Sequence, residues 1–315
     1  MLSSFDETSR AFQDKGVELN VNTIRRIAER VAKRAAMAQK LGQLSCSETL
    51  GGRTVVISTD GGRLRIREDK RGPRTAKGRR RYSTHWREPK LLIIYTVDDN
   101  GKMDRSFAPF IEGTLKGPDA VFGMIRFHLE QLSVHLAEKI VFVADGARWI
   151  WNRVSKLFQS LRIAPEKVYE LVDFYHAVEH LNKFADLKKG WDAAKKRRWV
   201  NKHRRLLFNS GVDEVVKAID TLCQGRLSKK IATERDYFVL NRHRMRYQIL
   251  KEQNLPIGSG AIESAVRRVV NLRLKGASIY WLEATAEAML LLRAYYKAGR
   301  WNTLKALVFS SALSR

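Results

Sequence analysis

Cysteine is almost missing from this chain: Cys46 and Cys223 are the only two in 315 residues, far apart and without CxxC spacing or a histidine cluster beside them. That excludes a disulfide framework and a thiolate zinc site, and marks both as inert thiols. No stretch reaches the roughly 18 apolar residues that span a bilayer. The opening MLSSFDETSR has neither the basic start nor the apolar middle of a secretory signal. The expectation is a cytosolic protein. There is no fixed-period repeat and no low-complexity tract beyond basic runs, which argues against a solenoid. Acidic residues are scarce relative to basic ones: 33 Asp and Glu against 59 Lys and Arg, a formal charge of +26. Solubility needs far less, so the excess points to a polyanionic partner. Charge alone does not choose between DNA, RNA and a membrane surface. The missing membrane signals favour a nucleic acid.

With 44% hydrophobic residues the chain can bury one substantial core and a smaller module. Residues 6–16 and 23–39 carry helical periodicity on either side of a short turn, with Asn22 placed as an N-cap. This is a helix-turn-helix candidate that would carry Arg25, Arg26 and Arg30 to DNA; a plain amphipathic pair of helices explains the same pattern. From residue 53, RTVVIST, a DGG turn and the alternating RLRIRE predict a β-hairpin with the second strand paired back on the first. KLLIIYTVDD gives a third strand, residues 118–138 a helix, KIVFVADG (139–146) a fourth strand, and KVYELVD (167–173) a fifth, each of the last two followed by a helix.

This β-β-β-α-β-α-β-α order, a meander followed by right-handed crossovers, predicts an α/β, RNase H-like fold: a mixed five-stranded sheet flanked by helices. Residues 187–255 read as an all-α basic insertion, and GSGAIESAVRRVVNLRLKG then resumes a helix. A last apolar helix stops near Gly299. The expected divisions are 1–48, the helix-turn-helix-like segment; 49–186, the first part of the core; 187–255, the insertion; and 256–315, the final helices.

Asp60 and Asp145 end the first and fourth strands, which the expected sheet order makes neighbours. Two converging carboxylates suit hard divalent cations, and a metal pair roughly 4 Å apart is a known solution for phosphodiester chemistry. Glu263 begins the helix after IGSGAI, with Gly258 and Gly260 allowing a close entry and Ser259 available as N-cap. Taken singly, each acid has a plainer explanation: turn chemistry before Gly61 or Gly146, or a capping glutamate. Asp173 and His176 form a DxxH pair at the fifth strand's end, readable as a helix cap or as support for the acids.

The segments STDGG, VFVADGARWIW, DFYHAVEHL and IGSGAIESAVRRVVNLRLKGASIYW together resemble bacterial insertion-sequence transposases of the ISKra4 type, a family of DDE enzymes with helical insertions, over about residues 53–298. The resemblance implies an RNase H-like catalytic domain with two Mg²⁺ (or Mn²⁺) ions held by Asp60, Asp145 and Glu263, with Asp173 and His176 behind them. It also implies binding to the terminal inverted repeats of a mobile element, insertion into target DNA, a homodimer or larger assembly on DNA, and a bacterial, nucleoid-associated location. A nuclease or resolvase without strand transfer, and a nonenzymatic nucleic-acid-binding descendant, remain alternatives.

Three basic segments would hold DNA. KRGPRTAKGRRR offers Lys70, Arg71, Arg74, Lys77, Arg79, Arg80 and Arg81 with no acid among its residues. Its composition predicts disorder without a polyanion. A nuclear localisation signal is the rival explanation, at odds with a bacterial resemblance. In the insertion, Lys195, Lys196, Arg197, Arg198, Arg204 and Arg205 interleave with Trp191 and Trp199, whose rings could stack on bases but more often pack inward. Arg267, Arg268, Arg273 and Lys275 are expected on the Glu263 helix, with Trp281 beyond them in the core.

Overall fold

A computed structural model describes residues 4–42, 48–224 and 228–309; Cys46 lies outside them. Its centre is a five-stranded sheet ordered β5-β4-β1-β6-β7, built from β1 (Thr54–Gly61), β4 (Lys90–Val97), β5 (Phe110–Thr114), β6 (Lys139–Ala144) and β7 (Val168–Val172). The β1–β4 and β4–β5 pairs are antiparallel; β1–β6 and β6–β7 are parallel. Every residue of β4 is buried, as are Val55 to Thr59 of β1. Successive strand side chains point to opposite faces, so such continuous burial means the sheet is covered on both. Each large apolar side chain sheltered there contributes roughly 1.5–3 kcal/mol.

The expected pairing of the second strand back onto the first does not occur. β2 (Leu64–Asp69) leaves the sheet after Gly62 and pairs with β3 (Tyr82–Arg87) as a separate two-stranded ribbon. The reason is in the two patterns: LRIRED can bury only one face, whereas the continuous apolar run of β4 suits a position covered on both. β1 also runs through the supposed turn, with Asp60 and Gly61 continuing the ladder to Leu91 and Lys90, and the Glu88 side chain occupies the space a Gly61 side chain would need. The sheet still has five strands, but β4 takes the place beside β1 expected for β2, and β5 adds outside β4; β3 and β5 were not expected at all.

Helices α4 (Arg148–Ser160) and α5 (Phe174–Leu187) follow β6 and β7 as the sequence suggests, whereas α3 (Pro118–Gln131) follows the unexpected β5 and ends short of the predicted residue 138. Between residues 187 and 255 the described residues form α6 (Ala193–Phe208), α7 (Val212–Cys223), α8 (Lys229–Asn241) and α9 (Tyr247–Glu252), with no strand. Cys223, free and buried, closes α7.

Helix α10 (Gly260–Val266) packs against β1 and β4, then loosens into a π-helical turn over Arg267–Asn271. The predicted helix therefore stops early, and Arg273 and Lys275 follow it rather than lie on it. Arg293, in α11 (Glu283–Lys297), explains the stop: its guanidinium donates to the carbonyls of Arg268 and Val269, which the next turn would otherwise use. An unexpected helix, α12 (Trp301–Phe309), follows the Gly299 turn.

At the other end, α1 (Phe5–Gln13) packs on α2 (Val21–Lys40). Asn20, not Asn22, is the α2 N-cap: its side chain accepts the Thr23 N–H at 2.9 Å, and Val21 already begins the helix. The alanine stripe Ala32, Ala35 and Ala38 seats α2 on α11 and α12, while Arg26 and Arg30 stay exposed.

Candidate active site at the strand ends

The β1–β6 ladder ends at the Ile57–Phe142 pair; three residues further on in each segment come Asp60, still in β1, and Asp145, just past the end of β6. Parallel pairing thus delivers the two acids side by side at the carboxyl ends of adjacent central strands. Both are half-buried. Burial foremost, with the negative charge of Asp145 added, pushes the Asp60 carboxyl above the ordinary aspartate value, against the pull of the Gly61 N–H, His176 and Lys90. The Gly61 N–H donates to Asp60 Oδ1 at 2.6 Å, and the Ala147 N–H to Asp145 Oδ1 at 3.0 Å. Trp151 Nε1 donates to the Asp145 carbonyl at 2.7 Å, fixing the turn between β6 and α4.

Asp173 is completely buried. One carboxylate oxygen accepts the His176 N–H at 2.9 Å, and so caps α5; the other accepts from Ser259, from both its N–H and, at 2.6 Å, its hydroxyl. Ser259 is therefore not the side-chain cap expected for α10. Its hydroxyl also lies 3.3 Å from Glu263 Oε1, so Asp173, Ser259 and Glu263 form one polar chain from β7 to α10. The capping reading of Asp173 holds, and the same residue also positions the loop that presents Glu263. His176 Nδ1 is 3.4 Å from Glu179.

Glu263 sits in the first turn of α10 with its side chain exposed. Among the described residues no group of three or more His, Cys, Asp and Glu is gathered closely enough to hold a metal ion. The strand register brings Asp60 and Asp145 together, while Glu263, exposed on α10, does not close a three-acid group with them in this structure.

Several neighbours had no sequence signal strong enough to single them out. Tyr237 of α8 lies against Gly146, where its ring fills the space a side chain would take. Its ring stacks on His180 at 3.5 Å, and His180 Nδ1 is 2.6 Å from Glu234. The Tyr237 hydroxyl is buried with no hydrogen-bond partner, and burial with the nearby charges of Asp145 and Asp173 pushes it far above the usual phenol range. Lys90, buried at the start of β4, lies 2.7 Å from Glu88 and 4.1 Å from the Trp149 ring. A charged residue opening an unbroken apolar run was the one available hint.

The expected DNA-contacting cations divide by exposure. Every residue of 70–81 is exposed, but the segment is a closed loop, joined at its neck by Lys70 to Arg81 and folded by Thr75–Arg79 and Gly78–Thr75 bonds. These local bonds supply the order that composition alone does not suggest. In α6, Lys195, Arg197, Arg198, Arg204 and Arg205 are exposed, whereas Lys196 binds Asp186 at 2.9 Å. Trp191 and Trp199 pack on each other, and Trp199 on Phe184 and His203. Arg204 and Arg205 line a cavity of about 570 Å³ with Tyr175 and Ile257, beside the Asp173 cap. Arg267 and Lys275 are exposed; Arg268 and Arg273 are partly covered, and Arg273 lies 5.0 Å from the buried Trp281 ring. No helix among the described residues is long and apolar enough to cross a membrane. No protein-family profile and no curated protein sequence gives a match to this chain.

Proposed function

We propose that this chain is a DDE-type DNA transposase of the ISKra4 type with an RNase H-like core, acting in the bacterial nucleoid. The observation that carries the proposal is the placement of Asp60 and Asp145 side by side at the carboxyl ends of adjacent parallel strands. In open α/β sheets that is where ligands bind. The strand order β5-β4-β1-β6-β7, three antiparallel strands followed by two parallel ones, agrees with that core.

The acid pair fits a hard divalent cation. Its oxygens are acceptors only, they are partly removed from water, and their mutual repulsion is relieved by a positive charge between them. Asp60 and Asp145 would hold Mg²⁺ or Mn²⁺ jointly, and Glu263, outside that pair in this structure, would have to close on it to serve as the third ligand. When bound, the metal pair would supply Lewis acidity and an activated oxygen nucleophile.

The chain's own residues then have distinct tasks. The Gly61 and Ala147 N–H groups aim the two carboxylates. Asp173, through Ser259, sets the entry of α10. Tyr237 clamps the turn that carries Asp145. Exposed cations of the 70–81 loop and of α6 would hold phosphates and position DNA. The α1–α2 pair, with Arg26 and Arg30 outward, is the proposed helix-turn-helix-like reader of element ends, and joining two ends calls for a homodimer or larger assembly.

The test is a joining assay with element-end DNA and a supercoiled target in Mg²⁺, comparing wild type with Asp145→Ala. Joined products lost in the variant support transposition. Cleavage without joining in the wild type would make the protein a nuclease or resolvase, and equal activity in both proteins would remove the acid pair from the chemistry.

A further inference from the structure

The proposed chemistry uses the 70–81 loop for phosphates but leaves unused the ribbon of β2 and β3 that carries it. The ribbon's inner face is anchored: Leu64 and Ile66 are buried, Ile66 bridges to Trp281, and the Arg67 N–H and Trp281 N–H exchange bonds with Trp281 and Arg65 carbonyls at 2.8 and 3.0 Å. Such anchoring makes the ribbon a rigid support. Its outer face has the opposite composition. Cross-strand partners there are Arg65 with Trp86, Arg67 with Thr84, and Asp69 with Tyr82.

Trp86 is 48% exposed, whereas the other described tryptophans are half-buried or buried. The guanidiniums of Arg63 and Arg65 lie 5.3 and 5.4 Å from its ring centroid. Tyr82, 38% exposed, has Arg67 at 4.8 Å from its ring and donates or accepts a 2.6 Å bond with the Tyr280 hydroxyl. An indole held open on an anchored strand is costly in water and gains when a flat apolar partner covers it.

Beside these rings the ribbon meets its own basic loop. Arg67, Arg74, Arg79 and Arg80 line a cavity of about 350 Å³ together with Tyr82 and Tyr280. No acid lines this cleft; the two hydroxyls bond to each other, Arg67 donates to Asp69 and Arg74 to the Gly78 carbonyl, which leaves the Arg79 and Arg80 guanidiniums and the remaining Arg74 donors for an anion. Asp69, on the same face, is already paired with Arg67 at 2.9 Å; Glu68, at the ribbon's end, lies 3.8 Å from His85. Rings and an arginine cleft side by side match the two chemistries of a polynucleotide, base face and phosphate.

Two features select a single strand over a duplex. Trp86 and Tyr82 are four residues apart on one strand, roughly 13 Å at 3.3 Å per residue, well beyond the 3.4 Å spacing of stacked bases along a duplex strand. A duplex also presents base edges in its grooves and keeps base faces covered, whereas the half-exposed Trp86 ring, beside the Arg63 and Arg65 guanidiniums, suits the face of an unstacked base.

We propose that the outer face of the β2–β3 ribbon is a stacking platform for single-stranded DNA, with Trp86 and Tyr82 receiving unpaired bases and the Arg67–Arg74–Arg79–Arg80 cleft receiving a backbone phosphate. None of these residues belongs to the acid pair; the choice of DNA over RNA rests on the proposed function, whereas the stacking itself does not.

The test measures binding of fluorescein-labelled oligothymidylate by anisotropy in EDTA, so that a catalytic failure elsewhere cannot enter the result. Wild type, Trp86→Ala and Trp86→Phe are compared on oligothymidylate, on a duplex of equal length and on oligouridylate. Trp86→Ala is expected to weaken oligothymidylate binding about five- to one-hundred-fold with little change on duplex, and Trp86→Phe to restore most of the loss. Tryptophan emission is expected to be quenched by oligothymidylate in the wild type and much less in Trp86→Phe. Unchanged binding in Trp86→Ala, or an equal loss on single strand and duplex, would overturn the platform. Tighter binding of oligouridylate than of oligothymidylate would overturn its assignment to DNA.

Discussion

β1 and β2 are consecutive strands separated by two residues, yet they meet opposite fates. β1 is flanked on both sides and covered on both faces, and it delivers Asp60 into a half-buried site beside Asp145. β2 leaves the sheet, buries one face only, and turns arginines outward beside exposed rings. A carboxylate meant to work with a partner acid needs a fixed backbone and reduced access to water, since only there does the second charge alter it strongly. A cation meant for phosphate needs access from solvent. The chain supplies both within some thirty residues by changing from a continuous apolar run to an alternating one.

The sharpest break of this comparison is Asp145→Ala. Losing several kcal/mol of transition-state charge stabilisation corresponds to a fall in joining rate of at least about a thousand-fold. DNA affinity measured in EDTA is expected not to weaken, because the cations lie elsewhere. A parallel loss of affinity would show that the two regions are not separate.

Next in size is the triple change of Arg79, Arg80 and Arg81 to Gln. All three side chains are exposed, so the melting temperature should stay where it is. The slope of log affinity against log salt should fall in magnitude by about 2 to 3, one phosphate contact per arginine. An unchanged slope would place the phosphates on α6 instead.

A smaller effect tests how firmly the acid turn is held. Gly146→Ala puts a methyl group into the Tyr237 ring and is expected to destabilise the protein by about 1–3 kcal/mol in urea unfolding. In a Tyr237→Ala background the same change should cost much less, a coupling of about 0.5–3 kcal/mol. Strict additivity would mean that α8 does not clamp this turn.

Much of the sheet was legible in the sequence because its strands follow strong patterns: the unbroken run of β4 and the KIVFVA and KVYELV segments can be little else. β3 was not legible, since YSTHWR exposes every second residue to solvent and has no apolar face of its own. β5 is five residues long and includes Gly113, which offers little periodicity to detect. Asp60 and Asp145 could be paired from topology because parallel neighbours bring equivalent strand ends together. Asp173 was legible as a cap, but its second bond, to Ser259, spans 86 residues and left no local trace. Tyr237 likewise sits in an exposed-looking helix far along the chain, and only its close approach to Gly146 reveals its place. Arg293 ending the Glu263 helix is a third case: a long-range side chain decides where a strongly helical pattern stops.

The finest test concerns the charge balance at Asp60 itself. Its folded carboxyl binds a proton more tightly than the ordinary aspartate does, first through burial and then through Asp145. Between those two values the native state holds more protons than the unfolded chain, so stability falls as pH rises through that window. Above it the ionised pair is a standing cost to the metal-free fold. Asp60→Asn removes that cost, so without metal the variant should melt higher than wild type at neutral pH, and the gap should close below the ordinary aspartate range. Added Mg²⁺ should reverse the order, raising the wild type and leaving the variant nearly unmoved. On the ribbon, Asp69→Asn removes half of an exposed pair with Arg67 and should change stability by no more than about 0.5 kcal/mol. If Asp60→Asn instead lowered the metal-free melting temperature at neutral pH, the Asp60 carboxylate would be a structural anchor and the contrast between the two strands would lose its electrostatic basis.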